Sequence, residues 1–202
     1  MANIKTVSLT MEEYSSFIRT IQQGFVYFDE SGKQHKFRKN EQLAIVLQLQ
    51  ANVGLRIGDI LKLRLADIVK DGNRYCFNDY VEQKTRKKRS FTIPNNIYSF
   101  ICTYAMEKGI SKEEPLFKVS ERAIQKQLAI VCDYLGMERV STHSFRKTFA
   151  TTIYNESGYN LELVKELLQH SSSATTQRYI GVSSKQVETA LQMVTDKLLI
   201  GY

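Results

Sequence analysis

Cysteine, proline and histidine are scarce in this chain of 202 residues, which holds three cysteines, two prolines and three histidines. The odd number and unpaired spacing of Cys76, Cys102 and Cys132 argue against a disulfide framework and indicate reduced thiols. The longest uncharged run, residues 90–106, contains Pro94 and two asparagines and is therefore no membrane span. The N-terminus lacks the apolar stretch of a secretory signal. We therefore expect a cytoplasmic protein.

The sequence also lacks a glycine-rich phosphate-binding loop, a cluster of carboxylates and any spacing typical of metal ligands. Internal repeats and low-complexity segments are absent, and only Pro94 and Pro115 interrupt the chain. These absences predict a folded protein that uses neither a metal ion nor another cofactor.

What the chain does contain is positive charge and apolar residues. Lysine and arginine number 28 against 21 acidic residues, which gives a formal net charge of +7 and an isoelectric point near 9.2. Hydrophobic residues make up 43 %, which is typical of a packed globular core. The basic balance is compatible with a polyanionic partner, although many basic proteins bind nothing acidic.

Helix start and stop signals organise the first third of the chain. Thr10 opens a capping-box pattern ahead of an apolar helical face. The polar stretch at residues 31–32, between aromatic flanks, predicts a loop or a short hairpin. Asn40 is the predicted cap of an apolar central helix that Gly54 ends, and a short helix is expected over residues 57–63.

The pattern changes between residues 68 and 93, where three short segments are rich in aromatic and β-branched residues and predict a small antiparallel sheet. Helical periodicity then returns over residues 95–108, 121–135, 143–157, 160–169, 173–180 and 184–198. The expected N-caps are Ser120, Thr142, Asn160, Ser173 and Ser184. The sequence therefore predicts an α+β fold that is mostly helical, with one small three-stranded sheet.

Three segments hold residues that could bind phosphate. His143 and Arg146 lie three apart on one face of a predicted helix. His170 ends the next helix, and Tyr179 follows nine residues later. Arg56 begins a helix among apolar neighbours, with Asp59 as a candidate anionic partner. Each of these residues alone is more often structural, so only their combination indicates chemistry.

The segment 84–89 places five basic residues in six between two predicted strands. Such a run is usually a solvated loop, but at a strand turn it can also reach a phosphate backbone. Arginine suits bidentate contact with phosphate oxygens, and histidine can donate to the same oxygens or move a proton. A tyrosine phenol with a pKa near 10 is only ~0.1 % ionised at pH 7, so as a nucleophile it needs a positive pocket or a base.

These motifs, taken in order, resemble the catalytic motifs of the tyrosine recombinases, or phage integrases. The segments that carry the resemblance are VGLRIGDILKLRLADI, THSFRKTFATTIYNESG and LLQHSSSATTQRYI. The resemblance runs from about residue 38 to residue 182 and implies the fold of DNA breaking-rejoining enzymes. It implies site-specific DNA recombination (integration, excision or inversion) through a 3′-phosphotyrosyl intermediate, without ATP.

The family also implies a role for each matching residue. Arg56 and Arg146 would clamp the scissile phosphate, and His143 would accept a proton or donate a hydrogen bond to the phosphate. His170 would be a further donor, and Tyr179 the nucleophile. Lys84 matches the general acid of the family's β-hairpin. The neighbouring basic residues keep that assignment open, and the expected DNA contacts are Arg86, Lys87, Lys88, Arg89 and Lys147.

The sequence departs from the commonest family pattern at three positions. Asp59 stands where many members have glutamate, in a role that we interpret as support of Arg56. Lys147 follows Arg146 where histidine is frequent, and Gln169 precedes His170 where glycine is frequent. None of these changes removes a catalytic group.

We expect residues 1–202 to form a single catalytic domain, with a helix and hairpin in 1–40. Residues 183–202 are expected to form a helix that either packs on its own core or, as the resemblance implies, docks on a neighbouring subunit. We also expect the N-terminal core-binding domain of the family to be absent. On this expectation the chain is either a fragment of a longer integrase or a naturally short recombinase.

The resemblance implies double-stranded DNA as partner, a homotetramer on DNA and a monomer without it. Accessory factors that bend DNA or impose direction, and association with the nucleoid when DNA is bound, follow from the same resemblance. Two other classes fit the sequence, namely an accessory DNA-binding module without catalysis and a relaxing enzyme like the type IB topoisomerases. They differ from a recombinase in whether Tyr179 is needed and whether cleavage depends on DNA sequence.

Overall fold

A computed structural model of the chain describes residues 6–81, 88–181 and 192. The chain divides into two compact units, Met1–Thr152 and Ile153–Tyr202. The boundary falls inside one helix, so this helix supplies residues to both units. Each unit has buried side chains of its own.

The elements of the first unit, in chain order, are α1 (Met11–Gln23), β1 (Phe25–Phe28), β2 (Gln34–Phe37), α2 (Glu41–Val53), α3 (Ile57–Ile60), a 3₁₀ turn (Leu65–Asp67), β3 (Ile68–Asp71), β4 (Arg74–Val81), β5 (Lys88–Ile93), α4 (Asn95–Glu107), α5 (Glu121–Leu135) and the start of α6 (Thr142–Glu156). The second unit continues α6 and adds α7 (Leu161–Leu168) and α8 (Ser173–Ile180).

Side-chain caps define the first two long helices, as the sequence predicts. The Thr10 hydroxyl accepts from the Glu13 backbone N–H at 3.1 Å, and the Glu13 carboxylate accepts from the Thr10 N–H at 2.7 Å. Asn40 caps α2 by accepting from the Leu43 N–H at 2.9 Å. Gly54 ends α2 in the left-handed conformation, with φ of 67°. Both predicted caps and the predicted stop are therefore confirmed.

Two antiparallel sheets lie in the first unit. β1 and β2 form the short hairpin, with Phe25 opposite Phe37. The other sheet has the order β3-β4-β5, and its β4–β5 register shifts between Phe77 and Tyr80. This sheet is the predicted three-stranded one, and together with the helices it confirms the mostly helical α+β fold.

The core of the first unit is built around α2, in which Leu43–Leu47 form an uninterrupted buried run. α1 packs on α2. The Phe17 ring meets the Phe145 ring of α6 edge to face, with centroids 5.4 Å apart. Phe145 is fully buried, so the first turns of α6 are fixed in the interior of this unit. In the second unit, Val164 and Leu168 of α7 are fully buried.

Some predicted boundaries were wrong by a few residues. Thr142 and Ser173 are the first residues of α6 and α8 rather than their caps. The Ser141 hydroxyl accepts from the His143 N–H at 3.2 Å, and Ser172 caps α8. The helix expected over residues 57–63 ends at residue 60, where the chain enters turns. The cap predicted at Ser184 and the helix predicted over 184–198, apart from residue 192, lie outside the described residues.

Within the part of the chain that the structure describes, no helix combines the length and the apolar character needed to cross a membrane.

Two left-handed glycines allow a matched test of the turn after α2. Gly54 and Gly136 end α2 and α5 with φ of 67° and 63°. A Cβ at Gly54 would overlap the Phe149 ring, whereas a Cβ at Gly136 meets nothing within 4 Å. We expect Gly136→Ala to lower the free energy of unfolding by about 1 kcal/mol, through backbone strain alone. Gly54→Ala should lower it by about 2 kcal/mol or more, because overpacking is added.

Urea unfolding of the two variants measures this difference. Equal losses at the two positions would contradict the close approach of Phe149 to the α2–α3 turn.

Candidate active site

The turn between α2 and α3 presents Arg56. Gly54 reverses the chain, and Arg56 follows in extended backbone as the N-terminal cap residue of α3, with its side chain half-buried. The Asp59 backbone N–H donates to the Arg56 carbonyl at 3.0 Å. Asp59 is only 1 % exposed, so its carboxylate lies inside the unit close to this turn. The predicted support of Arg56 by Asp59 stays a prediction.

Arg146 is the second arginine of the predicted set, and it is only 2 % exposed. Its Nη1 donates to the carbonyl oxygen of Gly54 at 2.5 Å. A buried guanidinium needs such partners, since loss of its hydration costs several kcal/mol. The bond therefore holds the guanidinium of Arg146 at the turn that carries Arg56, and it brings two sequence-distant arginines to one region.

His143 lies one turn before Arg146 on α6, and the two differ sharply in exposure. His143 is exposed at the start of the helix, whereas Arg146 is buried. The Ser141 hydroxyl holds the backbone of His143 at this helix start. His143 is thus accessible from solvent at the same end of α6 that contributes Arg146.

Lys147 does not lie on the surface, contrary to the expected DNA contact. Its side chain is 8 % exposed, and Nζ donates to the Thr6 carbonyl at 3.2 Å. The next residue, Thr148, accepts from the Leu9 N–H at 2.9 Å. Lys147 and Thr148 therefore fasten the N-terminal segment along α6. The sequence shows the charge of Lys147 but not its depth, because polar and apolar residues alternate irregularly along this helix.

Gln50 is a residue near this turn that the sequence analysis missed. It is fully buried in α2, and its Nε2 donates to the Leu55 carbonyl at 3.4 Å. Its Oε1 has no hydrogen-bond partner among the described residues. Burial of an unpaired amide oxygen is costly, so this glutamine is kept at the expense of stability next to Arg56. The sequence signal for this residue is weak, because α2 also contains Gln42, Gln48 and Asn52, none of which is buried.

The second unit brings His170 and Tyr179 together. α7 ends at Gln169, which adopts the left-handed conformation with φ of 53°, and His170 follows. The rings of His170 and Tyr179 meet edge to face with centroids 5.3 Å apart. Nδ1 of His170 lies 3.1 Å from the Thr176 hydroxyl. Gln169 therefore makes the tight turn that glycine commonly makes in the family, and Tyr179 of α8 comes back beside His170.

A second connection joins the N-terminal ends of α7 and α8. The Ser173 hydroxyl donates to the Glu162 carboxylate at 2.5 Å, and Lys165 bonds the same carboxylate at 2.7 Å. The hydrogen bonds of Lys165 and then Ser173 lower the pKa of Glu162. The charged form of Glu162 thus links the two helices that flank the His170 turn.

The basic segment 84–89 is only partly within the described residues. Lys84, Arg86 and Lys87 lie outside them, and their predicted roles stay predictions. Lys88 is exposed at the start of β5, opposite Val81 in the register, and Arg89 stands opposite Tyr80. The two basic residues described here belong to the strand that follows the segment.

The described residues contain no group of three or more histidine, cysteine or carboxylate side chains that could hold a metal ion.

The fold is that of recombinase catalytic domains. The crystal structure of XerH recombinase in a post-cleavage complex with a palindromic difH substrate matches 95 % of this chain and 53 % of its own, with a TM-score of 0.70 and 20 % identity. The catalytic domain of bacteriophage HP1 integrase matches 95 % of this chain and 96 % of its own, with a TM-score of 0.60 and 17 % identity. The predicted fold is therefore confirmed.

The chain belongs to the phage integrase family, whose profile matches residues 8–186. It is 28 % identical over 169 residues to the probable integrase/recombinase YoeC of Bacillus subtilis, covering 80 % of this chain and 89 % of YoeC. It is 30 % identical over 153 residues to tyrosine recombinase XerC of Bradyrhizobium diazoefficiens, covering 71 % of this chain and 47 % of that protein. The identification as a tyrosine recombinase catalytic domain is therefore confirmed. The chain spans about half the length of the XerC relatives that it matches.

Replacement of Gln50 by leucine tests whether its amide is kept at the expense of stability. We expect Gln50→Leu to raise the free energy of unfolding by about 1 kcal/mol, because it removes an unpaired buried oxygen and loses only a long hydrogen bond. Urea unfolding measures the change. A decrease of similar size would show instead that the bond to Leu55 stabilises the turn more than the burial of the amide costs.

Proposed function

We propose that this protein is a site-specific DNA recombinase that cleaves DNA with Tyr179 and rejoins strands through a 3′-phosphotyrosyl intermediate. The observation that carries the proposal is the bond from the buried Arg146 guanidinium to the Gly54 carbonyl, two residues before Arg56. Two arginines at one turn are the arrangement that a phosphodiester needs, because their planar donors match its non-bridging oxygens.

The first chemical step is attack of the Tyr179 oxygen on phosphorus. A phosphotyrosyl bond forms, the bond from phosphorus to the 5′-oxygen breaks, and the phenolic proton goes to a base, the role we assign to His143. Negative charge grows on the non-bridging oxygens in the transition state. Arg56, Arg146 and His170 would stabilise that charge by donating hydrogen bonds.

The 5′-oxygen is a poor leaving group and needs a proton as its bond to phosphorus breaks. We assign this proton to Lys84, with the other basic residues of segment 84–89 as the alternatives that the sequence leaves open. Because the tyrosyl ester conserves the phosphodiester energy, the 5′-hydroxyl of a second strand can attack it and release Tyr179. No ATP is consumed in this exchange, and the chemistry requires no metal ion.

Double-stranded DNA is the proposed substrate. The net charge of +7 supports this proposal. Two similar solved structures are complexes with DNA, namely XerH bound to its difH substrate and the Tn1549 transposon integrase bound to circular intermediate DNA. We extend the proposal to a homotetramer assembled on DNA from monomers, and to accessory factors that set the direction of the reaction.

The central test compares Tyr179→Phe with Tyr159→Phe on supercoiled plasmid in EDTA. Tyr159 is a matched control in the same unit, since it is 60 % exposed and has no proposed part in the chemistry. We expect covalent protein–DNA adducts that resist SDS with wild type and Tyr159→Phe, and none with Tyr179→Phe. Gel electrophoresis shows adducts and plasmid relaxation together.

The other two classes give different gels. An accessory module would bind DNA without adducts in any variant. A topoisomerase-like enzyme would cleave and relax every plasmid with little dependence on its sequence, whereas a recombinase would form its adducts at preferred DNA sequences.

The positions of Lys88 and Lys147 predict different effects on DNA affinity. We expect Lys88→Gln to reduce the slope of log affinity against log salt concentration by about one, as for one lost phosphate contact. Lys147→Gln should leave the slope unchanged, because its Nζ is bonded to Thr6 in the interior. Fluorescence anisotropy with a labelled duplex measures both slopes. A slope that is reduced by Lys147→Gln but not by Lys88→Gln would contradict this expectation and would support the DNA contact that the sequence predicts for Lys147.

A further inference from the structure

We infer that Thr176 is a positioning residue that orients the His170 imidazole toward the scissile phosphate. The inference rests on the proposed function and adds a residue to which neither the sequence motifs nor the family comparison assigns a role. Thr176 is fully buried in α8, and its hydroxyl lies 3.1 Å from Nδ1 of His170.

Because Thr176 is fully buried, its hydroxyl has to find its hydrogen-bond partners within the protein. A valine would fill the same space in the interior without any polar atom, so packing alone does not call for a hydroxyl here. A buried hydroxyl is stable only when it is hydrogen-bonded. The Thr176 hydroxyl lies 3.1 Å from Nδ1 of His170 and 3.5 Å from the Ser172 carbonyl oxygen.

The two distances indicate which partner dominates. The Ser172 carbonyl already accepts the backbone N–H groups of Thr175 at 3.1 Å and Thr176 at 3.3 Å. The hydroxyl of Thr176 is therefore directed chiefly to His170. A threonine hydroxyl both donates and accepts, so it can serve Nδ1 in either protonation state of the imidazole.

We assign the same consequence for His170 in both states. For the neutral imidazole we assign the Thr176 hydroxyl as the donor to Nδ1, which leaves the hydrogen on Nε2. When the imidazole is charged, Nδ1–H donates to the hydroxyl, which turns to the Ser172 carbonyl, and Nε2 again carries a hydrogen. Nε2–H can then donate a hydrogen bond to a phosphate oxygen, as the role proposed for His170 requires.

The ring of Tyr179 adds a second constraint on the imidazole. It meets the His170 ring edge to face with an interplanar angle of 82°. Thr176 and Tyr179 lie three apart on α8, so they project from the same side of the helix. One helix thus carries the proposed nucleophile together with the group that orients its neighbouring donor.

The experiment is a double-mutant cycle on the rate of covalent adduct formation. We expect Thr176→Val to slow adduct formation on the order of tenfold, which is typical for loss of an orienting partner. Thr176→Ser, which keeps the hydroxyl, should stay within about twofold of wild type. Thr175→Val is the matched control, because its hydroxyl lies 3.0 Å from the Ser172 hydroxyl rather than near the imidazole.

The cycle is completed in the His170→Ala background. If Thr176 acts through His170, Thr176→Val should cause no further loss there, because its partner is already gone. A merely structural role would cost as much in that background as in wild type. DNA affinity, measured in parallel, should not change with Thr176→Val.

Two results would overturn the inference while leaving the proposed function standing. One is a Thr176→Val variant as fast as wild type, and the other is an undiminished loss in the His170→Ala background. Failure of the wild-type protein to form any Tyr179-dependent adduct is a distinguishable result, and it would overturn the proposed function and this inference together. Circular dichroism of each variant establishes that the fold is retained.

Discussion

The buried guanidinium of Arg146 is the constraint on which the first unit depends. With 2 % exposure it has given up most of its hydration, and the Gly54 carbonyl supplies part of the replacement. That carbonyl is available because Gly54 turns the chain into the left-handed conformation, with the Phe149 ring where a Cβ would stand. The same turn begins α3 at Arg56. The end of α2, the contact with the Phe149 ring and the bond from Arg146 therefore all fix the same short segment. This segment holds Arg56 and Arg146 in one region.

In the second unit, the side chains of Thr176 and Tyr179 contact the His170 ring. Gln169 reverses the chain after α7, and α8 returns with Thr176 and Tyr179 beside His170. The Glu162 carboxylate, bonded to Ser173, links the starts of the two helices from the solvent side. In this unit hydrogen bonds orient one ring, whereas in the first unit they compensate a buried charge. Each arrangement fixes the direction of N–H groups, those of Arg146 in the first unit and of His170 in the second, that can donate hydrogen bonds to a phosphate oxygen.

Much of this fold was predictable because its signals are local. The Thr10 cap, the Asn40 cap and the Gly54 stop each depend on one side chain acting within a few residues. The caps predicted at Thr142 and Ser173 were wrong because each of these residues directly follows a serine. Only the backbone conformation decides which of two adjacent hydroxyls caps the helix. The burial of individual polar side chains was harder to predict from the sequence. The interior position of Lys147 depends on a segment 141 residues away in the chain, and such long-range packing leaves no periodic trace in the sequence. Thr176 was missed for the same reason, since a threonine in a polar helix resembles a surface residue.

The bond between Tyr179 and DNA is the feature of the proposed chemistry that can be tested most directly. DNA adducts trapped with SDS can be digested with nuclease and trypsin, and the modified peptide sequenced by mass spectrometry. We predict a single nucleotide linked through its 3′-phosphate to Tyr179. The other DNA end should carry a 5′-hydroxyl that polynucleotide kinase labels without prior phosphatase treatment. Attachment at another residue, or a 5′-phosphate on the released end, would contradict it.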